Sequence, residues 1–237
     1  MELEEMWKKM VDCLHKEVKP ATGCTEPISL AYASAVAAEK LGQPVEKIEA
    51  RVSANMMKNG MAVIVPGTET PGLYIAAAVG ALGGDPKGGL QVLKRLSPEV
   101  VRKGKKMVAD KLVSVDIADV PNVLYSEAKV YGGGHTARVC IADDHTNVVH
   151  IEKDDAVLFE APPMKSDEVS PEEQFLNNLT LKDVYQFATE CPIDDIRFME
   201  EAAKLNEELS KVGLSEKYGH CIGYTMKSEI HTGFQIG

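Results

Sequence analysis

The chain has 237 residues, of which 44% are hydrophobic, a composition typical of a globular protein with a sizeable core. Its formal net charge is −10, and no basic stripe with interleaved aromatic residues is present, which argues against nucleic-acid binding. No apolar run approaches the roughly 20 residues of a membrane span, and the charged N-terminus is unlike a signal peptide. Five cysteines at irregular spacing do not predict a disulfide framework, so we expect a cytoplasmic protein with reduced thiols.

The N-terminal part of the chain predicts two helices. Apolar residues recur at helical spacing up to Val18, and the first helix is expected to end near Pro20. An alanine-rich helix over 27–41 follows, with Thr25 as its expected N-cap.

The next part of the sequence mixes strand and helix patterns. Alternating apolar residues over 47–56 predict a half-buried strand, and "KNG" at 58–60 is a hairpin or loop signal. Residues 61–65 are expected to form a second strand or a buried segment. Helices are predicted over 71–82, where small residues dominate, and from Ser97, which is a suitable N-cap.

The second half of the sequence changes character near residue 162. Five short alternating runs between residues 113 and 162 predict strands separated by turns, and two helices are expected around 171–190 and 193–211. We therefore predict an α+β fold in which a mixed or antiparallel sheet is covered by the small-residue helices. The expected division is an α+β substrate-binding domain at 1–162 and a linker with the start of a helical domain at 163–237.

Close packing of these helices requires their small side chains to be buried. The alanines expected in the core are Ala31, Ala35, Ala38, Ala76, Ala77 and Ala78.

Cys24 lies in "KPATGCTEPISL", where a thiol precedes a helix. The positive end of the helix dipole lowers the pKa of a thiol there and favours the thiolate, which attacks electrophiles or binds metals. The alternative is a small residue buried at a crowded turn.

Two further segments carry candidate functional groups. In "YGGGHTARV", three glycines free the backbone to approach a ligand, and His135 could act as an acid or base, although a flexible hairpin explains the pattern as well. In "SANMMKNGMAV", Asn55, Lys58 and Asn59 could converge on a carboxylate, although a polar hairpin tip is the simpler interpretation.

The other four cysteines do not form a recognisable functional motif. Cys13 and Cys140 are expected in the core, Cys191 precedes Pro192 at a helix junction, and Cys221 lies in a glycine-rich loop. No CxxC pair or zinc-type spacing is present, and neither are nucleotide-binding or nucleophile-elbow motifs.

Taken together, "KPATGCTEP", "SANMMKNGMAVIVPGT" and "KVYGGGHT" resemble motifs of the L-cysteine desulfidase and L-serine dehydratase alpha-chain-like family. The resemblance covers the whole chain. It implies an iron–sulfur-dependent lyase that converts L-cysteine or L-serine by α,β-elimination to pyruvate, ammonia and hydrogen sulfide or water. It implies a [4Fe-4S] cluster and no pyridoxal phosphate.

The resemblance also assigns roles to individual residues. Cys24 matches the cysteine of the "GCTEP" motif and is the expected cluster ligand, and His135 is the expected catalytic residue. The residues expected to bind substrate are Thr25, Glu26, Asn59 and Thr136. These roles predict that "GCTEP" and "GGGHT" meet in one pocket, with Cys24 and His135 facing a shared cleft.

This sequence departs from the family in one respect. Family members continue well beyond residue 237, and their other cluster cysteines lie in that C-terminal half. The remaining ligands are therefore expected outside this chain, which by itself is expected to fold but to be inactive.

Two other functions stay open at this point. One is a non-catalytic module that binds an amino acid and regulates a partner, and the other is an enzyme that uses Cys24 as a nucleophile paired with His135. The expected partners are a small amino-acid substrate and, for assembly, a second copy in a homodimer, with neither nucleic acid nor membrane.

Overall fold

The computed structural model describes residues 3–21, 23–162, 171–215 and 221–228. The contacts between residues divide the chain into two compact units. The sheet unit comprises Pro20–Lys165, and the helical unit comprises Met1–Lys19 together with Ser166–Gly237.

The described residues form eight strands and ten α-helices, with one 3₁₀ turn at Gly89–Gln91. The strands are β1 Lys47–Val52, β2 Ile64–Val65, β3 Thr70–Pro71, β4 Val113–Ile117, β5 Tyr125–Gly132, β6 His135–Ala142, β7 Val148–Lys153 and β8 Ala156–Glu160. The helices are α1 Leu3–Glu17, α2 Thr25–Leu41, α3 Ala54–Gly60, α4 Leu73–Gly83, α5 Pro98–Ala109, α6 Pro171–Asn177, α7 Leu181–Glu190, α8 Ile193–Ile196, α9 Met199–Ser215 and α10 Ile222–Ser228.

The sheet unit is built on a mixed sheet with the strand order β4-β1-β5-β6-β7-β8, which contains six strands in the described part of the chain. β1 and β4 are parallel, and the other neighbouring strands are antiparallel. Strands β2 and β3 form a separate two-residue ladder. The predicted α+β class with a mixed sheet is confirmed.

One face of this sheet lies against α2, and the alternation of side chains along the strands explains why. In β5, Ser126, Ala128 and Val130 are buried, whereas Tyr125 and Glu127 point to the opposite, partly exposed face. The buried face meets α2, whose apolar side chains complete the core together with residues of β1, β4 and β6. A two-residue period therefore decides which side of the sheet carries the core.

Helix α4 packs on α2 through small residues. The predicted burial is confirmed for Ala31, Ala35 and Ala76 to Ala78, while Ala38 is only partly buried. A Cβ atom added at Gly80 would lie 2.7 Å from the Cα atom of Ala31, so the two helix backbones are in direct contact.

Several local predictions are corrected by the structure. The segment around 58–60, expected to be a hairpin or loop, belongs to helix α3. The helix expected from residue 71 begins at Leu73, because Thr70 and Pro71 pair with β2 instead. The helix predicted from Ser97 is confirmed, since the Ser97 hydroxyl accepts a hydrogen bond from the Val100 amide.

The helical unit contains α1 and α6 to α10. His15 of α1 stacks on Phe198 with ring centroids 3.9 Å apart, and Lys16 forms an ion pair with Glu172 at the start of α6. The contacts thus group the first helix with the C-terminal helices, whereas the sequence placed it in the 1–162 domain. Among the described residues, no helix combines the length and apolarity needed to cross a membrane.

Candidate functional site

The site begins where α2 begins. Cys24, not Thr25 as expected, is the N-cap residue, with an extended backbone at φ −60° and ψ 129°. Gly23 precedes it at φ +148°, a conformation that side-chain-bearing residues rarely adopt, so a glycine is needed to turn the chain into the helix. Pro27 lies in the first turn, where its missing N–H is not required for helical hydrogen bonds.

Glu26 is the centre of the hydrogen bonds at this helix start. The Cys24 thiol donates to Glu26 Oε2 over 2.8 Å, and Asn59 Nδ2 donates to Glu26 Oε1 over 2.9 Å. The Thr25 hydroxyl lies 3.5 Å from Glu26 Oε2, at the limit of a hydrogen bond. Three of the four predicted substrate-binding residues, Thr25, Glu26 and Asn59, therefore lie together beside Cys24.

These contacts shift the pKa of both titratable groups. Burial raises the pKa of the Cys24 thiol, the carboxylate of Glu26 raises it further, and backbone N–H groups of Glu26 and Thr25 oppose both. The net direction is upward, so the expected lowering of the Cys24 pKa by the helix start is wrong. Burial of the thiol, together with the negative charge of Glu26 beside it, outweighs the partial positive charge of the helix end.

The pKa of the Glu26 carboxyl group is shifted in the opposite direction. Burial raises its pKa, but the hydrogen bonds from Cys24 and Asn59 lower it, as does the charge of His145. The net pKa is lowered, so Glu26 is a carboxylate at neutral pH.

Helix α3 brings Asn59 to the site. Ser53 caps α3 by accepting a hydrogen bond from the Met56 amide over 3.3 Å, and its own hydroxyl donates to the Val123 carbonyl over 2.6 Å. Because this cap holds α3 directly after β1, Asn59 on the last turn of the helix can reach Glu26. Ser53 ahead of "ANMM" was a usable N-cap signal that the hairpin interpretation passed over.

A buried serine pair fixes α2 on the sheet near the site. The hydroxyls of Ser29 and Ser126 lie 2.8 Å apart, and both residues are buried. Ser126 is near the start of β5, so the first turns of α2 lie over the end of the sheet at which β5 begins and β6 ends.

His145 lies in the loop after β6, at this same end of the sheet. The sequence analysis did not select it as a candidate functional residue. Its charge acts on Glu26, as noted above, and its buried Nε2 atom has no hydrogen-bond partner in the described part of the chain. The segment "DDHTN" looks like an ordinary turn, and no local pattern distinguishes its histidine.

His135 and Thr136 are not at this site. They begin β6 at the opposite end of α2, where the Gly133 amide donates to Glu46 and a Cβ at Gly132 would overlap the Pro44 carbonyl. The 17 residues of α2 span about 25 Å between its ends. The predicted pocket shared by Cys24 and His135 is therefore wrong.

The two residues have other partners. His135 Nδ1 lies 2.8 Å from Asp154 Oδ2, and the Thr136 amide donates to Asp154 Oδ1 over 2.8 Å. These hydrogen bonds stabilise the ends of two adjoining strands at an exposed position.

Cys24 offers one thiol ligand at the site. No group of three or more His, Cys, Asp or Glu side chains in the described residues is arranged to hold a metal ion. Cys140 is buried in the sheet as predicted, with its pKa raised to about 11 by burial, and Cys13 is only partly buried rather than in the core. One thiol and one carboxylate do not by themselves fit a complete [4Fe-4S] cluster.

The chain is similar to several curated proteins. A UPF0597 protein of Chromobacterium violaceum is 52% identical over 229 residues, which are 96% of this chain and 53% of that protein. A UPF0597 protein of Oleidesulfovibrio alaskensis is 46% identical over 228 residues, which are 96% of this chain and 53% of that protein. The UPF0597 protein YhaM of Escherichia coli is 46% identical over 234 residues, which are 98% of this chain and 53% of that protein.

The chain thus spans about half the length of the curated relatives it matches. No family model matches it. No solved structure matches it either.

Proposed function

We propose that this chain is the substrate-binding portion of an iron–sulfur-dependent lyase. The reaction is the α,β-elimination and deamination of L-cysteine or L-serine to pyruvate, ammonia and sulfide or water. We place the reaction in the cytoplasm, where amino-acid substrates and reduced thiols are available.

The observation that carries the proposal is the meeting of two motifs at Glu26. "GCTEP" and "SANMMKNG" are distant in sequence, and the hydrogen bond between Asn59 and Glu26 joins them in space. Both belong to the set that resembles the L-cysteine desulfidase and L-serine dehydratase-like family. A chance resemblance would give no reason for the polar residues of the two motifs to be partners.

Glu26 can perform two tasks in this proposal. As a carboxylate it attracts the ammonium group of an amino acid, which is a charge-assisted interaction. It also accepts the hydrogen bond of the Cys24 thiol, so it is placed to accept the proton when Cys24 becomes a thiolate ligand. Asn59 holds the carboxylate in a fixed orientation for both tasks.

The cluster itself requires more than this chain contains. We propose that Cys24 is one ligand and that the other ligands come from outside these 237 residues. The relatives are about twice as long as the aligned region, which leaves a second half to provide them. Once bound by the protein, a cluster in which one iron has no protein ligand would supply a Lewis acid.

A cysteine-nucleophile enzyme has less support. Its thiolate requires a nearby base, and His135 lies at the other end of α2, while the raised pKa of Cys24 keeps the thiol protonated. An amino-acid-binding module without chemistry uses the same Glu26 and Asn59, and activity separates it from the lyase.

The test uses a chimera in which this chain replaces the matching half of the Chromobacterium violaceum relative. The chimera and the 237-residue chain are purified without oxygen and reconstituted with iron and sulfide. We expect the chimera to be brown, to retain iron and to release sulfide and pyruvate from L-cysteine. The chain alone should fold and show little turnover.

Two cysteine variants of the chimera make the test specific. Cys24→Ala should remove both iron retention and turnover, while Cys13→Ala should leave both unchanged. An iron-containing chimera without turnover would favour the binding module. Robust turnover of the 237-residue chain without iron would overturn the cluster mechanism.

A further inference from the structure

Helix α9 carries an apolar seam that is covered at one end and exposed at the other. Phe198 lies directly before the helix, and further apolar side chains follow it at alternating intervals of four and three residues. They are Ala202, Leu205, Leu209 and Val212. This spacing is typical of helices that pack side by side along a common axis. Phe198 and Ala202 are partly buried. Leu205, Leu209 and Val212 are 53%, 71% and 46% exposed.

The neighbours of α9 explain this difference. His15 of α1 stacks on Phe198 with ring centroids 3.9 Å apart, so α1 covers the beginning of the seam. Helix α10 packs elsewhere on α9, since a Cβ atom at Gly223 would lie 3.4 Å from Leu214 Cδ2. Leu214 is on the side of α9 opposite Leu205, because the nine residues between these positions make two and a half turns. The exposed side chains therefore continue an interface that begins inside the helical unit.

The residues that flank the seam restrict what can cover it, since flanking charges select the partner in helix pairs. One flank carries Glu201 and Glu208, and the other carries the uncharged Asn206 and Gly213. Two parallel copies of α9 would place each glutamate against an uncharged residue, and two antiparallel copies would place glutamate against glutamate. A second copy is thus a poor match, whereas a helix with lysine or arginine along one flank is complementary.

We propose that the exposed seam of α9 binds an amphipathic helix of the full-length protein. This helix belongs to the part of the protein that corresponds to the unaligned half of the curated relatives, which are about twice as long as the aligned region. It directs apolar side chains toward Leu205, Leu209 and Val212. It directs basic side chains toward Glu201 and Glu208. The inference concerns how two halves of one protein assemble, and it does not depend on the lyase chemistry.

The first experiment compares the 237-residue chain with the full-length chimera described above. Leu209→Cys is introduced into both proteins, and labelling of the new thiol by N-ethylmaleimide is timed by peptide mass spectrometry. We expect labelling to be about tenfold slower in the chimera, because a covered thiol reacts only when the contact opens. Ser210→Cys is the matched control: Ser210 is exposed and points away from the seam, so both proteins should be labelled at the same rate there.

The second experiment measures stability. Leu209→Asp should lower the urea midpoint of the helical transition by about 1 M in the chimera, since it places a charge in a buried contact. In the 237-residue chain the same substitution should have little effect, because this side chain is 71% exposed.

A pair of charge reversals tests the basic flank of the partner helix. Glu207 and Glu208 both form ion pairs with Lys211, at 3.0 Å and 2.9 Å, but only Glu208 flanks the seam. Glu208→Lys should therefore lower the urea midpoint of the chimera more than Glu207→Lys does. The two substitutions should be equivalent in the 237-residue chain.

Two results would overturn the inference. In the first, Leu209→Cys is labelled at equal rates in the chimera and in the 237-residue chain at every concentration. In the second, labelling of the chain alone slows as its concentration rises, which would show that a second copy covers the seam. Circular dichroism shows that each variant is folded, and the same two cysteines at the aligned positions of the intact Chromobacterium violaceum relative repeat the comparison in a natural full-length protein. Iron retention and sulfide release by the chimera judge the lyase proposal separately.

Discussion

At the scale of single residues, burial and the neighbouring carboxylate of Glu26 together raise the pKa of the Cys24 thiol. The thiol lies at a helix start, where backbone N–H groups favour a thiolate, yet burial and a carboxylate 2.8 Å away favour the protonated form. Burial is the largest of these effects on the thiol pKa, and the hydrogen bond to the Glu26 carboxylate adds to it.

Replacement of Glu26 by Gln should therefore make Cys24 more reactive. The substitution removes the negative charge that raises the thiol pKa, so the thiolate forms at lower pH than in the parent protein. Alkylation by iodoacetamide should be several-fold faster between pH 7 and roughly pH 9, where the parent thiol is still largely protonated. Peptide mass spectrometry after timed quenching measures the rate at each cysteine.

Cys191 is the internal reference in the same samples. It lies in the helical unit, its pKa is raised by burial and then by Asp195, and Glu26 does not affect it. Its alkylation rate should be equal in both proteins. Identical pH profiles for Cys24 in the parent and in Glu26→Gln would show that the carboxylate does not control the thiol.

At the scale of secondary-structure elements, the contact between α2 and α4 depends on the absence of a side chain. Gly80 faces Ala31 so closely that a Cβ atom would lie 2.7 Å from its Cα atom. The helices are consequently able to bury rows of alanines against one another. This packing holds α2, and with it Cys24 and Glu26, in place on the sheet.

Gly80→Ala should destabilise the sheet unit by about 3 kcal/mol, because backbone atoms cannot move aside as a flexible side chain does. The measurement is urea-induced unfolding, monitored by circular dichroism. Gly213→Ala is the control: nothing lies within 4 Å of a Cβ at Gly213 in α9, so alanine should be neutral or stabilise that helix by up to about 1 kcal/mol. Equal stabilities for Gly80→Ala and the parent would contradict the close helix contact.

At the scale of the whole molecule, the two units differ in how much apolar surface they bury. The sheet unit contains both large clusters of buried apolar side chains. In the described residues of the helical unit, the buried apolar side chains are Met10 and Phe187. Since burial of apolar surface is the main source of stability, the helical unit should be the less stable one.

The single tryptophan of the sequence, Trp7, allows this difference to be measured. It lies in the helical unit, so its fluorescence reports on that unit, whereas circular dichroism reports on both. We expect the fluorescence transition in urea to precede the main dichroism transition by about 1 M. Trp7→Phe should remove the fluorescence signal and leave the dichroism transition in place, and coincident transitions in the parent would show that the units unfold together.

The sequence by itself determined most of the secondary structure. The strands between residues 113 and 162, the helix after Ser97 and the burial of most of the alanines follow from alternation, capping and side-chain size. Such features depend on residues that are close in sequence. The wrong predictions of secondary structure were local as well. At α3, the N-cap signal at Ser53 competed with a turn signal at 58–60, and the turn was predicted in error.

Only the tertiary structure decided the composition of the site and the grouping of α1. The order of strands and the direction of α2 place Glu26 and His135 at opposite ends of the same helix. No sequence pattern contains that information, because His135 follows ordinary turn residues. The pKa of Cys24 likewise depends on burial and on the orientation of a carboxylate, and these are properties of the folded chain, so they could not be derived from a helix-start motif alone.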